Sequence, residues 1–149
     1  YMTDALLNEQ IIVQIREAFT NLKEPVAIIF FGSRENCDYC DDTRKLLEEV
    51  SGIDDRLTLK FYDIDTDSEV AKHYRVDKTP GIVIAAMNRD QISDYGIQYS
   101  GIPSGHEFGT LIQAILLVSS RDSGLTSQTR EFLKNLQNPL HLQVFVTPT

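Results

Sequence analysis

The chain of 149 residues carries 22 acidic and 14 basic side chains, a net charge of -8, and 42% of its residues are hydrophobic. This composition suits a globular unit with a core, and the negative charge argues against nucleic acid as a partner, because phosphates attract Lys and Arg. The longest apolar run in a helical pattern, residues 114–118, is far shorter than the roughly 20 residues of a membrane span, so no membrane partner is predicted. No signal peptide is recognisable, and we therefore expect a cytoplasmic protein.

The apolar pattern predicts alternating helices and strands. Residues 26–31 are apolar at every position, as in a strand covered on both faces. A helix between this strand and the next predicts that the two pair in parallel, whereas the last two strands should form a hairpin. The pattern therefore predicts an α/β fold. In chain order the predicted elements are helix 3–22, strand 26–31, helix 37–50, strand 57–64, helix 68–74, strands 82–86 and 96–99, and helix 105–119.

The end of the chain resembles its beginning at an offset of 114 residues. Arg130-Glu131 aligns with Arg16-Glu17, and Pro139 aligns with Pro25, without a gap. Similarity at one fixed offset is typical of duplicated units. The alternative is that any helix followed by proline and a strand looks alike.

The repeat predicts how the chain divides into domains. Residues 2–121 should form one complete unit, and residues 122–149 should supply a linker with the first helix and strand of a truncated second unit. That strand, residues 140–146, would present an unpaired apolar edge. We therefore expect a homodimer in which the C-terminal strand pairs with a second copy.

The only two cysteines are Cys37 and Cys40, in a C-x-x-C pattern between an apolar strand and a predicted helix. Sulfurs at this spacing at the start of a helix can form a disulfide and be reduced again. Cys37 would lie at the helix cap, where unpaired N–H groups favour a thiolate, and Cys40 would lie one turn later on the apolar stripe. Cys37 is therefore predicted to be the nucleophile and Cys40 the resolving thiol.

Two other interpretations of the cysteines are open. A structural zinc ion needs two further ligands, and His73, His106 and His141 show no paired spacing, so no metal site is predicted. The cysteines could also be ordinary buried side chains, or a pair that has kept its spacing without redox activity.

Thr79-Pro80 precedes a predicted strand, where a peptide bond to proline can be cis. Such a turn exposes backbone groups that can pair with an extended substrate peptide beside Cys37. The alternative is a trans proline that opens an edge strand.

Together the motifs 37–40 (CDYC), 79–81 (TPG) and 99–108 (YSGIPSGHEF) resemble the thioredoxin-like superfamily. More narrowly, they resemble the N-terminal unit of the two-unit protein disulfide oxidoreductases, also called glutaredoxin-like proteins. The resemblance implies a central four-stranded mixed sheet flanked by helices, with an extra helix and strand at the C-terminus. It also implies a nucleophile at Cys37, a resolving thiol at Cys40 and a cis bond at Pro80. The residues expected to contact substrate are Asp38, Tyr39, Thr79 and Pro80.

The resemblance implies thiol-disulfide exchange on protein or peptide disulfides, without a cofactor and with a thioredoxin-reductase-like electron donor. Two alternatives are a thioredoxin-like tandem domain of a flavin-linked peroxiredoxin reductase and a non-catalytic scaffold unit. The chain departs from thioredoxins in having no Trp and no acidic residue in strand 26–31 to accept the proton of the resolving thiol. Asp63 and Asp65 are candidate acceptors, although such residues more often cap a helix or end a strand in water.

Overall fold

A central β-sheet with helices on both faces forms the fold, and the computed structural model describes residues 5–147. In that part of the chain, no helix is both long and apolar enough to cross a membrane. In chain order the elements are α1 (Glu9–Phe19), β1 (Val26–Gly32), α2 (Cys40–Ser51), β2 (Leu57–Asp63), α3 (Ser68–Tyr74), β3 (Gly81–Asn88), β4 (Gln91–Ser100), α4 (His106–Ser120) and α5 (Ser127–Lys134).

Strand β1 lies in the interior of the sheet and is buried along residues 26–31. It pairs in parallel with β2, with Val26 opposite Leu57, and antiparallel with β3, with Val26 opposite Ala86. Strands β3 and β4 are antiparallel, which gives the order β2-β1-β3-β4. The predicted α/β fold with a four-stranded mixed sheet is confirmed, including the parallel pair joined by a helix and the hairpin of the last two strands.

Alternate side chains of β1 enter two separate cores. Ile28 and Phe30 join the larger core, which also receives buried side chains from α1, α2 and α4. Ile29 and Phe31 join a smaller core with side chains of α3. Because successive side chains of a strand point to opposite faces, an entirely apolar strand requires helices on both sides of the sheet.

Helix α1 begins later than the apolar pattern predicts. Asn8 caps it, since its side-chain oxygen accepts a hydrogen bond from the N–H of Ile11 at 2.9 Å. The chain before the cap is held differently, because the carboxylate of Glu49 in α2 accepts from the N–H groups of Leu6 and Leu7, each at 2.8 Å. The first residues of the predicted helix lie outside the described part of the chain.

The β3–β4 hairpin is longer than predicted. Residues 87–95, expected to form a long polar turn, mostly continue the two strands, and the turn is only Arg89-Asp90, with Arg89 at φ 58°. A register shift after Ile84 accommodates Gly96 at φ 81°, a conformation that glycine adopts without strain. The apolar pattern missed this extension because polar side chains of an edge strand can face solvent.

The chain leaves the folded unit after α4. Helix α5 forms at the C-terminal end, as predicted, but the structure has no strand at residues 140–146, contrary to the prediction. Every described residue from 122 to 147 is exposed, and Phe145 is 89% exposed. An apolar pattern is not enough to form a strand, because the backbone N–H and C=O groups also need a partner strand.

A buried hydroxyl joins the end of α4 to the loop before β1. Ser119 is fully buried, and its Oγ accepts from the N–H groups of Lys23 and Glu24, at 2.9 and 3.1 Å, and donates to the carbonyl of Glu24 at 2.7 Å. The guanidinium of Arg121 donates to the carbonyl of Pro25 at 2.8 Å. These bonds fix the C-terminal end of α4 against the sheet.

We predict that Ser119→Ala lowers the free energy of unfolding by about 1–3 kcal/mol, because it deprives buried backbone groups of their partner. Urea unfolding measures this change. Ser120→Ala is the matched control, since that hydroxyl is only partly buried and donates to the carbonyl of Leu117 within its own helix. The control should change stability by no more than about 0.5 kcal/mol, and equal effects of the two substitutions would contradict the role of Ser119.

Candidate active site

The loop that follows β1 carries both cysteines at one edge of the sheet. The strand ends at Gly32, and the sulfurs of Cys37 and Cys40 are joined in a disulfide, with Cα atoms 5.5 Å apart. A Cβ atom built on Gly32 would lie 3.7 Å from the sulfur of Cys40. The disulfide therefore sits directly beside the end of the central strand.

The two sulfurs occupy different environments. Cys40 is 6% exposed and belongs to the larger core, on the same buried stripe of α2 as Leu47. Cys37 is partly buried and packs against the edge of that core. The outer position of Cys37 and the inner position of Cys40 are those that the apolar stripe predicts.

Helix α2 begins at Cys40, three residues later than predicted. Asp38 and Tyr39 form a turn in which the N–H of Cys40 donates to the carbonyl of Cys37 at 3.4 Å. Tyr39 has φ -109° and ψ 7°, which lies outside the helical region. Thr43 anchors this turn, because its N–H and its hydroxyl both donate to the carbonyl of Tyr39, at 2.9 and 2.6 Å. Cys37 thus precedes the helix instead of capping it.

The Thr79-Pro80 segment lies at the same edge of the sheet. Its peptide bond is cis. Gly81 is opposite Phe31, the residue before the end of β1, and the carbonyl of Pro80 accepts from the N–H of Gly101 at 2.8 Å. These pairings place Thr79-Pro80 next to the loop that carries the disulfide.

Close packing at this segment requires a glycine after the proline. A Cβ atom on Gly81 would lie 2.7 Å from a methyl carbon of Val76 and 2.8 Å from the carbonyl oxygen of Lys78. Pro80 is buried and Thr79 is partly buried, whereas Asp38 and Tyr39 are exposed. Of the four residues expected to contact substrate, Pro80 is therefore the least accessible.

A loop rich in carboxylates flanks the other side of the site. Asp63 is opposite Gly32 in the sheet, and the hydroxyl of Ser33 donates to the carboxylate of Asp65 at 3.2 Å. The N–H groups of Thr66 and Asp65 donate to Asp63 at 3.1 and 3.0 Å, and these bonds lower the pKa of its carboxyl group. A lowered pKa makes Asp63 a poorer acceptor for the proton of the resolving thiol.

A carboxyl group that the sequence reasoning missed lies on α4. Burial raises the pKa of Glu107, which is in the first turn of that helix. Burial also raises the pKa of Tyr99, which packs on the same core as Cys37 and hydrogen-bonds with Thr110. The available signal was an acidic residue at the start of an otherwise apolar helix. Among these carboxyl groups, Glu107 has the direction of pKa shift that favours proton acceptance.

The chemistry of this edge is that of a dithiol and its disulfide. Both sulfurs are engaged in one bond. Within residues 5–147, no three His, Cys, Asp or Glu side chains come together in a group that could hold a metal ion. An accessible sulfur bonded to a buried one can open and close reversibly by exchange with an external thiol.

Sequence comparison finds relatives among bacterial peroxide reductases. The chain is 26% identical over 140 residues to the alkyl hydroperoxide reductase AhpF of Pseudomonas aeruginosa and 28% identical over 144 residues to the Staphylococcus aureus (strain MRSA252) protein of the same name. These alignments cover 94% and 97% of this chain but 24% and 25% of the relatives. The chain therefore spans about a quarter of the length of the curated relatives that it matches. No protein-family model matches it.

Two solved structures share the fold over most of the chain. A protein disulfide oxidoreductase from Aeropyrum pernix superposes with a TM-score of 0.83 at 26% identity, over 99% of this chain and 62% of that one. The NTD_N/C domain of the alkyl hydroperoxide reductase AhpF from Enterococcus faecalis superposes with a TM-score of 0.74 at 26% identity, over 84% of this chain and 58% of that one.

We predict that the charge of Asp63 stabilises the fold in a way that depends on pH. Because its pKa is lower in the folded chain, the stabilisation is complete above the ordinary Asp value of about 3.9 and is lost as the pH falls through the folded value. Asp63→Asn should therefore lower the thermal midpoint at neutral pH, and its difference from the parent chain should shrink below about pH 4.

Thermal unfolding followed by circular dichroism tests this expectation. Asp90→Asn, which removes an exposed carboxylate in the β3–β4 turn, is the control and should leave the midpoint nearly unchanged throughout. An effect of Asp63→Asn that is the same in acid and at neutral pH would contradict the proposed role of its charge.

Proposed function

We propose that this chain, whose fold is thioredoxin-like, exchanges thiols and disulfides with protein or peptide substrates through Cys37 and Cys40. The observation that carries the proposal is the disulfide at the end of the central strand, with one sulfur partly accessible and the other 6% exposed at the residue level. The accessible sulfur can meet a substrate, whereas the buried sulfur can reach only its neighbour. The names of the similar proteins, a disulfide oxidoreductase and peroxide reductases, support the same chemistry.

In the reduced chain, the Cys37 thiolate attacks one sulfur of a substrate disulfide. A bond forms between Cys37 and the substrate, and the second substrate sulfur leaves as a thiolate. Cys40 then loses its proton and attacks the sulfur of Cys37, so the intramolecular disulfide forms and the first substrate sulfur leaves. The substrate gains two electrons, and the chain loses two.

Substrate contacts are proposed at four residues around Cys37. Asp38 and Tyr39 are exposed beside it in the turn, and Tyr39 is 58% exposed. Thr79 and Pro80 lie at the same sheet edge, and the partly buried Thr79 can offer backbone groups to an extended peptide. The buried ring of Pro80 would shape this surface from below.

A second candidate function follows from the curated relatives. They are alkyl hydroperoxide reductase proteins about four times as long as the aligned region, so we propose as the alternative that this unit relays electrons inside a larger reductase of that kind. In either case the disulfide must be reduced again, and a thioredoxin-reductase-like protein is the proposed electron donor. A reducing cytoplasm is the proposed compartment, because the chain has no cysteines beyond the exchanging pair for a structural disulfide.

The domain division is proposed to follow the internal repeat, with residues 2–121 as the thioredoxin-like unit and residues 122–149 as the beginning of a second one. Two features support the boundary: Arg121 hydrogen-bonds back to Pro25, and the described residues after Arg121 are exposed. The exposed apolar residues of 140–146 also support a homodimer in which this segment pairs with a second copy.

We predict that Cys37→Ser abolishes reduction of insulin disulfides, because the attacking sulfur is lost. Cys40→Ser should instead stall as a mixed disulfide, which mass spectrometry of the intact protein detects as added substrate mass. Thermal unfolding of both variants controls for folding. A rate for the parent chain as low as that of Cys37→Ser, without a mixed disulfide in Cys40→Ser, would contradict exchange activity and favour a scaffold role.

We predict that the C-terminal segment causes association and is dispensable for folding. In light scattering, the mass of the full chain should rise towards twice the monomer mass with concentration. A chain that ends at Arg121 should stay monomeric and keep its thermal midpoint within about 4 °C, because the segment removed is exposed where the structure describes it. A full chain that stays monomeric would contradict the dimer, and an unfolded shortened chain would contradict the domain boundary.

A further inference from the structure

We propose that four exposed carboxylates around the disulfide select substrates whose cysteines are flanked by Lys or Arg. We call them the acidic rim, and the inference rests on the proposed exchange activity. The rim consists of Glu35, Asp38, Asp41 and Asp42.

All four rim residues are close to the reacting sulfurs. Each is within two residues of Cys37 or Cys40, a separation of at most about 7 Å along the backbone. The Debye length is about 10 Å at 0.1 M salt, so the four charges act together on a peptide bound at the disulfide.

Nearby cations do not cancel the rim. Arg44 pairs with Glu48 at 3.1 Å, and Lys78 pairs with Asp77 at 3.0 Å. Arg34 contributes to the lowered pKa of Asp63, so its charge is partly offset by a carboxylate outside the rim. Within residues 5–147, none of the ion pairs includes a rim residue.

An exposed aromatic ring lies within the rim. Tyr39 is 58% exposed and stands between Asp38 and Cys40 in the chain. A tyrosine face attracts ammonium and guanidinium groups, and a neighbouring carboxylate adds a charged partner for the same cation. The turn therefore offers both contacts that a Lys or Arg side chain uses.

A basic flank also favours the exchange step itself. The substrate sulfur that leaves does so as a thiolate, and nearby positive charge lowers the pKa of that thiol. A thiol of lower pKa leaves faster. Acidic flanks have the opposite effect and are repelled by the rim.

The test uses disulfide-linked peptides that differ only in having Lys, Gln or Glu beside the cysteine, incubated with the reduced full-length chain. We expect the Lys peptide to be reduced about tenfold faster than the Glu peptide at low ionic strength, and the ratio should fall as salt screens the charges. Reduction of the same peptides by dithiothreitol alone measures their intrinsic difference, by which each ratio is divided.

Two charge-neutralising variants separate the rim from the overall negative charge. The double variant Glu35→Gln/Asp42→Asn should lower the corrected Lys-to-Glu ratio by about threefold or more, because it removes half of the rim. The double variant Glu17→Gln/Asp90→Asn removes the same charge from α1 and the β3–β4 turn and should leave the ratio unchanged. Since all four substituted residues are exposed, both proteins should remain folded.

The outcomes distinguish the inference from the proposed function. Measurable reduction of all three peptides with a corrected ratio near one would overturn the selection for basic flanks and leave the exchange activity intact. An equal fall of the ratio in both double variants would also overturn it, because net charge alone would then account for the preference. Failure to reduce any peptide, with no mixed disulfide in Cys40→Ser, would overturn both proposals.

Discussion

Burial of β1 on both faces is the constraint from which the position of the disulfide follows. Its side chains fill two cores, so the strand needs neighbours on both edges for its backbone and helices on both faces for its side chains. A shift of one residue would exchange the faces to which all its side chains point. The strand therefore ends at a defined place, Gly32, and the sulfur of Cys40 lies against that end.

From this point the buried stripe of α2 makes the two sulfurs different. Cys40 is on the stripe, so the core shelters it, and Cys37 lies in the turn before the helix, nearer to solvent. The bonds from Thr43 to the carbonyl of Tyr39 tie that turn to the helix. A reactive outer sulfur and a sheltered inner one suit the two steps of disulfide exchange, attack and release. The exposed carboxylates beside them add a preference for charge, which depends on salt, to a reaction that depends on position.

The two ends of the sheet have different roles. At one end, Ser119 and Arg121 bind the last helix to the loop before β1, and this end is concerned with stability. At the other end, the disulfide loop, Thr79-Pro80 and the start of α4 meet. The exposed residues after Arg121 belong to neither end, which is consistent with a segment that acts through another unit or another copy.

The sequence by itself determined the order of the elements, the central position of β1 and the unequal burial of Cys37 and Cys40, because apolar periodicity reports directly which side chains avoid water. Only the tertiary structure decided which distant residues meet, such as Gly81 with Phe31 and Glu49 with the segment before α1. Local patterns also missed the polar extension of the edge strand and the helix cap at Asn8. They predicted a strand at residues 140–146, where the apolar pattern is present but no partner strand supplies hydrogen bonds.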